Sequence, residues 1–228
     1  MGEDNLSMLD PISLGLLLSL VGVPVALLFG RLAGADALGV AMRSAFWAMA
    51  LAVLEIAAAS GDGWQTKMGL ANPTSSTFLD ALVATIAILA VWPLVQRAQR
   101  WLGGTLVEQT EQFGKIAKLS VAYRVFLVLT AGVVEEILYR GFAIGFGARV
   151  LGGVWTAFAA SLGVFTLAHF RWGVSHLLSV FWAGGALSLL FVVSNDLYAC
   201  IVTHVLVDAV GLLLAPIAMA RRADAARR

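Results

Sequence analysis

The sequence is poor in charge and almost without cysteine. Only 13% of its 228 residues are Asp, Glu, Lys or Arg, against ~25% in soluble domains, and 60% are hydrophobic. A chain of this composition cannot hide its apolar surface from water. That excludes a soluble globular domain, and with it disorder and a coiled coil. The one cysteine, Cys200, has no partner for an internal disulfide, and inside an apolar run it reads as a small core- or lipid-facing residue. Neither sign of charge prevails. The net charge of +1 gives no reason to expect nucleic acid as a partner. The start, MGEDNLSMLD, lacks the basic n-region of a secretory signal, and the apolar run behind it is too long for one, so it reads as a retained first helix. There is no HExxH, which argues against a zincin-type protease. No span carries GxSxG or GxGD, which disfavours serine and aspartyl intramembrane proteases. No repeat of fixed period is visible, which weighs against an inverted-repeat transporter.

What is present is a series of long apolar runs. A membrane helix needs ~20 mostly apolar residues. Seven stretches qualify: Pro11–Leu32, Leu38–Ser60, Phe78–Val95, Val121–Phe146, Val154–Phe170, Val174–Ser194 and Leu197–Ala220. The expected fold is therefore all-α, a polytopic helical bundle forming a single integral membrane domain over residues 1–228. Asp10-Pro11 is a good helix start, a capping carboxylate followed by proline. Gly61-Asp62-Gly63 and Asn72-Pro73 punctuate the loop between the second and third spans. Residues 96–120 form the one polar connection of any length. Leu106, Val107, Phe113, Ile116 and Ala117 fall near one helical face there, which suits a helix lying in the interface, although a solvated loop fits as well. With the N-terminus outside, twelve of the fifteen Lys and Arg fall on the inner side. Lys67 and Arg149 fall on the outer side, and Arg140 lies within a span. This asymmetry favours an N-out, C-in chain.

Ionisable groups at bilayer depth cost ~2.5–3.5 kcal/mol each on insertion scales, so they are the informative residues. The fourth span holds Glu135, Glu136 and Arg140, the fifth ends at His169, and the seventh holds His204 and Asp208. Glu136 and Arg140 are one helical turn apart in the favoured order for an ion pair. Glu135 points ~100° away and is left without a local partner. That reads as one glutamate for structure and one for chemistry, a general base or acid. Phe165 and His169 share a helical face, and so do His204 and Asp208. Asp208 can accept a hydrogen bond from the imidazole and fix its tautomer, or the pair can offer an N,O edge to a metal. Three non-adjacent helices carry such groups, and they are expected to meet in a cavity among the fourth, fifth and seventh spans.

In this order, Glu135-Glu136-x-x-x-Arg140, Phe165-x-x-x-His169 and His204-x-x-x-Asp208 resemble the three motifs of the CPBP family, the CAAX-processing and bacteriocin-processing (Abi) glutamic intramembrane endopeptidases. The resemblance covers about residues 121–210. It implies that Glu135 activates water, that His169 helps to hold it, and that His204 and residue 208 polarise the scissile carbonyl or stabilise its oxyanion. Glu136, Arg140 and Phe165 would support them. The family often has asparagine where this chain has Asp208, and an ionised carboxylate cannot donate to an oxyanion. Asp208 would then orient His204 or carry a proton. The resemblance favours a metal-free mechanism. Zinc stays open, since Glu135, His169 and His204 are plausible ligands by type.

Other residues fit plainer roles. Arg43 is expected to snorkel to the inner surface. Glu55 and His176 read as interfacial. Trp64, Trp92, Trp101, Trp155 and Trp172, near span ends, form an aromatic belt. Gly141, Gly145, Gly147, Gly184 and Gly185 permit close helix contact. The four terminal arginines suit an anchor to an anionic inner leaflet. The expected activity is hydrolysis of a peptide bond in a membrane-tethered protein or peptide, in CAAX-type, leader or C-terminal sorting-signal processing. A plasma membrane is the default location. The alternatives are a non-catalytic scaffold or bacteriocin-immunity protein of the same fold, and a proton-coupled transporter using the same residues as a relay.

Overall fold

The computed structural model describes residues 10–71, 73–101 and 114–214, and the described residues contain helices and no strand. Helix α1 runs Pro11–Leu32, α2 Val40–Ala59, α3 Trp64–Lys67, α4 Ser75–Trp101 and α5 Val121–Glu135. A π-helical segment, Glu136–Phe142, continues α5. Then follow α6 Gly147–Val150, α7 Val154–Ala168, a 3-10 turn Phe170–Trp172, α8 Val174–Ser194 and α9 Leu197–Ala209, which ends in a second π segment, Val210–Leu214.

Five helices are long and apolar enough to cross a bilayer: Pro11–Leu32, Val40–Ala59, Ser75–Trp101, Val174–Ser194 and Leu197–Leu214. The other two expected spans differ for separate reasons. Val154–Ala168 is shorter, at 15 residues, and a 3-10 turn follows it. The stretch Val121–Phe142 is long but carries Arg124, Glu135, Glu136 and Arg140. Its charges turn inward: Arg124, Glu136 and Arg140 are all buried. The third span also extends beyond the apolar run. Leu94 and Val95 are followed by helical Gln96–Trp101, and buried Gln99 donates to the Ser175 carbonyl (2.5 Å) and to Ser179 Oγ (2.9 Å). Gln99 thus ties the C-terminal end of α4 to α8. Leu106, Val107, Phe113, Asn72 and the four terminal arginines lie outside the described residues.

Local chemistry sets the ends of the elements. Asp10 caps α1 through a bond from Ile12 N, with Pro11 in the first turn. Asp196 caps α9 by accepting from Ala199 N (3.0 Å), and its second oxygen accepts from Thr77 Oγ1 on α4 (2.5 Å). One carboxylate therefore both starts α9 and fastens it to α4. Two bonds set α2 against α5: Tyr123 Oη donates to the Leu38 carbonyl (2.5 Å) and Trp47 Nε1 to Thr130 Oγ1 (3.2 Å). Both partners advance in the same direction, so the two helices run parallel.

Lipid tails are as apolar as leucine, so helix association here depends on close packing and on interhelical hydrogen bonds. Outward faces are apolar, with Leu17, Leu28, Phe29, Leu82, Val83 and Ile86 all exposed. The centre of the bundle is the π segment. Residues Glu136–Ile144 are continuously buried, and α1, α2, α7, α8 and α9 all pack against the segment. A helix covered on every side can carry charge in a membrane, because none of its faces meets lipid.

Candidate active site

The site is built outward from Glu136. Its Oε1 accepts from Arg140 Nη1 at 2.8 Å, and both side chains are fully buried. The same oxygen accepts from His204 Nδ1 on α9 at 2.6 Å. Arg140 spends two further N–H groups on α8: Nη2 donates to the Gly184 carbonyl (2.9 Å) and Nε to Ser188 Oγ (3.3 Å). Its guanidinium lies over the Phe165 ring, 4.4 Å from the centroid. One buried ion pair thereby joins the π segment to α7, α8 and α9.

Two glycines permit these approaches. A Cβ on Gly184 would stand 2.8 Å from the Phe165 ring, so only a glycine leaves room there for the ring and for the Gly184 carbonyl to meet Arg140. A Cβ on Gly132 would stand 2.5 Å from Val205 Cγ2. That contact draws α9 against α5 and brings the neighbouring His204 onto Glu136. The expected role of Gly184 in close packing is met. Gly185 makes only ordinary contact, its Cβ position 3.7 Å from Leu162.

Glu135 is placed differently. It is the last α-helical residue before the π segment, its side chain is 14% exposed, and its Oε2 lies 3.9 Å from His204 Nε2. The other face of that nitrogen meets Asp208 Oδ2 at 3.7 Å. The sequence suggested that Asp208 fixes the imidazole tautomer. In the structure Glu136 does so, because α9 turns Nδ1 toward the π segment and a carboxylate oxygen can only accept from it. Nε2 is left near Glu135 and Asp208, beyond direct hydrogen-bond distance of both carboxylates.

His169 caps α7. Its Nδ1 is 2.8 Å from the Phe165 carbonyl, so Nδ1 carries the hydrogen and Nε2 is unprotonated in the neutral ring. The ring packs against Phe165 (4.9 Å between centroids), which also meets His204 (6.5 Å) and Tyr139 (5.2 Å). The three motifs do converge: Glu136, Arg140 and His204 bond directly, Glu135 and Asp208 flank His204, and His169 joins through Phe165. Among the described residues, no group of three or more His, Cys, Asp or Glu side chains is arranged to hold a metal ion. His204 Nδ1 is already committed to Glu136, which leaves only Nε2 for a ligand.

Several contributors were not read from the sequence. Ser188 and the Gly184 carbonyl bind Arg140. Tyr139 is fully buried beside Glu135 and Arg140, and its hydroxyl has no partner among the described residues. Small polar residues in an apolar helix, such as Ser179 and Ser188 in α8, were the available signal. Arg43 is half-buried and turns back to the Ala37 carbonyl in the α1–α2 turn, the direction expected of a snorkelling side chain. Glu55 is exposed on α2 and lines no part of the site. His176 stacks on Trp172 at 5.2 Å.

Comparison with protein-family models matches residues 117–210 to the type II CAAX prenyl endopeptidase, Rce1-like, family. No curated protein and no solved structure gives a match. The matched stretch holds α5, the π segment and the helices that bring His169, His204 and Asp208 against it. Residues 117–210 thus resemble an Rce1-like type II CAAX endopeptidase, consistent with the CPBP family of proteases, in a chain with five apolar helices long enough to cross a membrane.

Proposed function

We propose that this chain hydrolyses a peptide bond of a membrane-tethered protein or peptide with a water molecule activated by Glu135. The observation that carries this is the division between adjacent glutamates. Glu136 is sealed in a buried pair with Arg140 and His204, while Glu135 is free of that pair and partly open.

In this mechanism Glu135 takes a proton from water, and the water oxygen bonds to the scissile carbonyl carbon. The carbonyl oxygen becomes an oxyanion. His204 Nε2, held by Glu136 through Nδ1, lies where it can pass a proton to the departing nitrogen. The C–N bond then breaks to give a carboxylic acid and an amine. His169 helps to hold the water, and Asp208 orients His204 or returns its proton. Phe165, tilted against His169, edge-on to His204 and under the Arg140 guanidinium, keeps the rings in place. No step needs a metal. Preorganised groups in a water-poor site act more strongly than they would in bulk water. The N-out, C-in orientation puts α3 on the outer side and the α1–α2 turn on the inner side of the membrane.

The test is single-turnover cleavage of lipidated and hydrophobic peptides in 18O-water by the purified full chain. Attack by water predicts one 18O in the new carboxyl group and none in the enzyme. Label recovered in the Glu135 side chain would instead mean a covalent acyl intermediate. Absence of cleavage across CAAX-type, leader and sorting-signal peptides would favour the scaffold reading.

A further inference from the structure

Helix α2 has two unlike faces. Met42, Phe46, Ala50, Val53 and Ala57 are buried against the bundle. On the opposite face Ala41, Ser44, Ala48, Leu51, Glu55 and Ala58 are exposed. The outward side chains of other helices are large: Leu17, Leu28 and Phe29 on α1, and Phe78, Leu82 and Ile86 on α4. Glu55 stands out on the α2 face. The helix has 20 residues, a length of ~30 Å, which is the thickness of the hydrocarbon layer. Glu55 lies four residues before its last residue, Ala59, and so ~6 Å from that end. Side chains lean toward the N-terminus of their helix. That lean carries Arg43 toward its own membrane surface, but it carries Glu55 away from the nearer one. Among the described residues Glu55 makes no hydrogen bond or ion pair.

We propose that this face of α2 docks a transmembrane helix of another protein, and that the docked helix carries a lysine or arginine at the depth of Glu55. Charge complementarity selects the occupant. A carboxylate facing lipid is costly, and an opposite charge on a packed neighbour offsets that cost. A second copy of this chain in a parallel, symmetric contact would set Glu55 against Glu55, two like charges. The spacing also fits a helix. The six exposed residues recur every three and four positions, which is the seam of a left-handed helix pair. Ala41, Ser44, Ala48 and Ala58 are small, so a second backbone can come close. One polar residue within such a seam fixes the register of the partner. The π segment packs against α2 on its buried side, so the docked helix stays clear of the proposed active site.

The experiment measures energy transfer from the tryptophans of the full chain to a dansyl-labelled, tryptophan-free helix in phosphatidylcholine vesicles. The probe is a peptide of ~22 leucines and alanines that spans the bilayer. It carries one lysine at the depth of Glu55, and its control carries leucine there. Wild type should bind the lysine peptide about fivefold or more tightly than the leucine peptide. Glu55→Leu should bind both equally, and its melting temperature in detergent should not fall, since the side chain faces outward. Glu55→Asp should keep part of the preference. Ala48→Leu should weaken binding of the lysine peptide by holding the helices apart. Equal affinity of wild type for the two peptides, or a lysine preference that survives in Glu55→Leu, overturns the proposal. Sedimentation equilibrium of the full chain without peptide, in neutral detergent, tests the other occupant. A dimer that Glu55→Leu dissociates would assign this face to a second copy and overturn the proposal as well.

Discussion

At the scale of single residues, the two adjacent glutamates make opposite predictions. Glu136→Gln leaves the buried Arg140 and His204 short of their shared anion. Removing one partner of a buried pair costs about 3–5 kcal/mol. Thermal unfolding in detergent should therefore show Glu136→Gln strongly destabilised, with activity lost through the fold. A Glu136→Gln protein as stable as wild type would mean that the pair does not hold the site together. Asp208 makes a finer test. Asparagine at this position supplies an N–H donor that an ionised carboxylate lacks. Asp208→Asn should keep cleavage within about tenfold of wild type, while Asp208→Leu, with no polar group, should lose about a hundredfold or more. Equal loss in both would mean that the carboxylate itself transfers a proton. The sequence showed Glu136–Arg140 plainly, because their spacing fits one helical turn. It did not show that Glu136 rather than Asp208 holds His204. That depends on the rotation of α9 about its axis, which the His204–Asp208 spacing leaves undetermined.

At the scale of elements, two features shape the site. One is the π segment, whose bonds run from Ala143 N to the Leu138 carbonyl (2.9 Å) and from Gly145 N to the Arg140 carbonyl (3.2 Å). The widened turn begins at Glu136, directly after Glu135. π segments within α-helices are frequent at functional sites. Nothing in the residue pattern announced it, since apolar periodicity and the Glu136–Arg140 spacing fit an α-helix equally well. The other is the close contact of α5 with α9 at Gly132. Gly132→Ala puts a methyl group 2.5 Å from Val205 Cγ2 and 3.3 Å from Val205 N, so the helices must part. Overpacking of this kind costs about 1–3 kcal/mol. The variant should unfold at lower temperature and lose cleavage more steeply than stability, as His204 is carried away from Glu136. Unchanged activity would show that the α5–α9 distance is not critical. Gly132 lies between apolar neighbours and had no sequence mark beyond its size.

At the scale of the whole molecule, the composition and the long apolar runs were sufficient for the class: an all-helical membrane bundle, borne out by five apolar helices of spanning length. The ends of α1 and α8 coincide with the sequence reading, because Asp10-Pro11 and the Ser194–Asn195–Asp196 break are strong local signals. The third span was read too short because the continuation through Gln96–Trp101 is polar. Its Gln99 is satisfied by α8, a long-range contact that hydropathy cannot see. Orientation remains a prediction from charge. Single cysteines at Lys67 and Lys115 should report it, since the native Cys200 is fully buried. With sealed inverted and right-side-out vesicles, a membrane-impermeant thiol reagent should label Lys67→Cys from the outside and Lys115→Cys from the inside. The reverse pattern would invert the topology, and labelling of both from one side would break the span count.

The central claim is that Glu135 is the catalytic base of a metal-free peptide hydrolysis. The most direct measurement is the cleavage rate of purified wild type and Glu135→Gln on the same lipid-tethered peptide, each with and without a strong chelator, alongside their melting temperatures. The prediction is a loss of about a thousandfold or more in Glu135→Gln at unchanged stability, with wild-type cleavage undiminished by the chelator. Cleavage that persists in Glu135→Gln, or that disappears from wild type on chelation and returns with zinc, would contradict it.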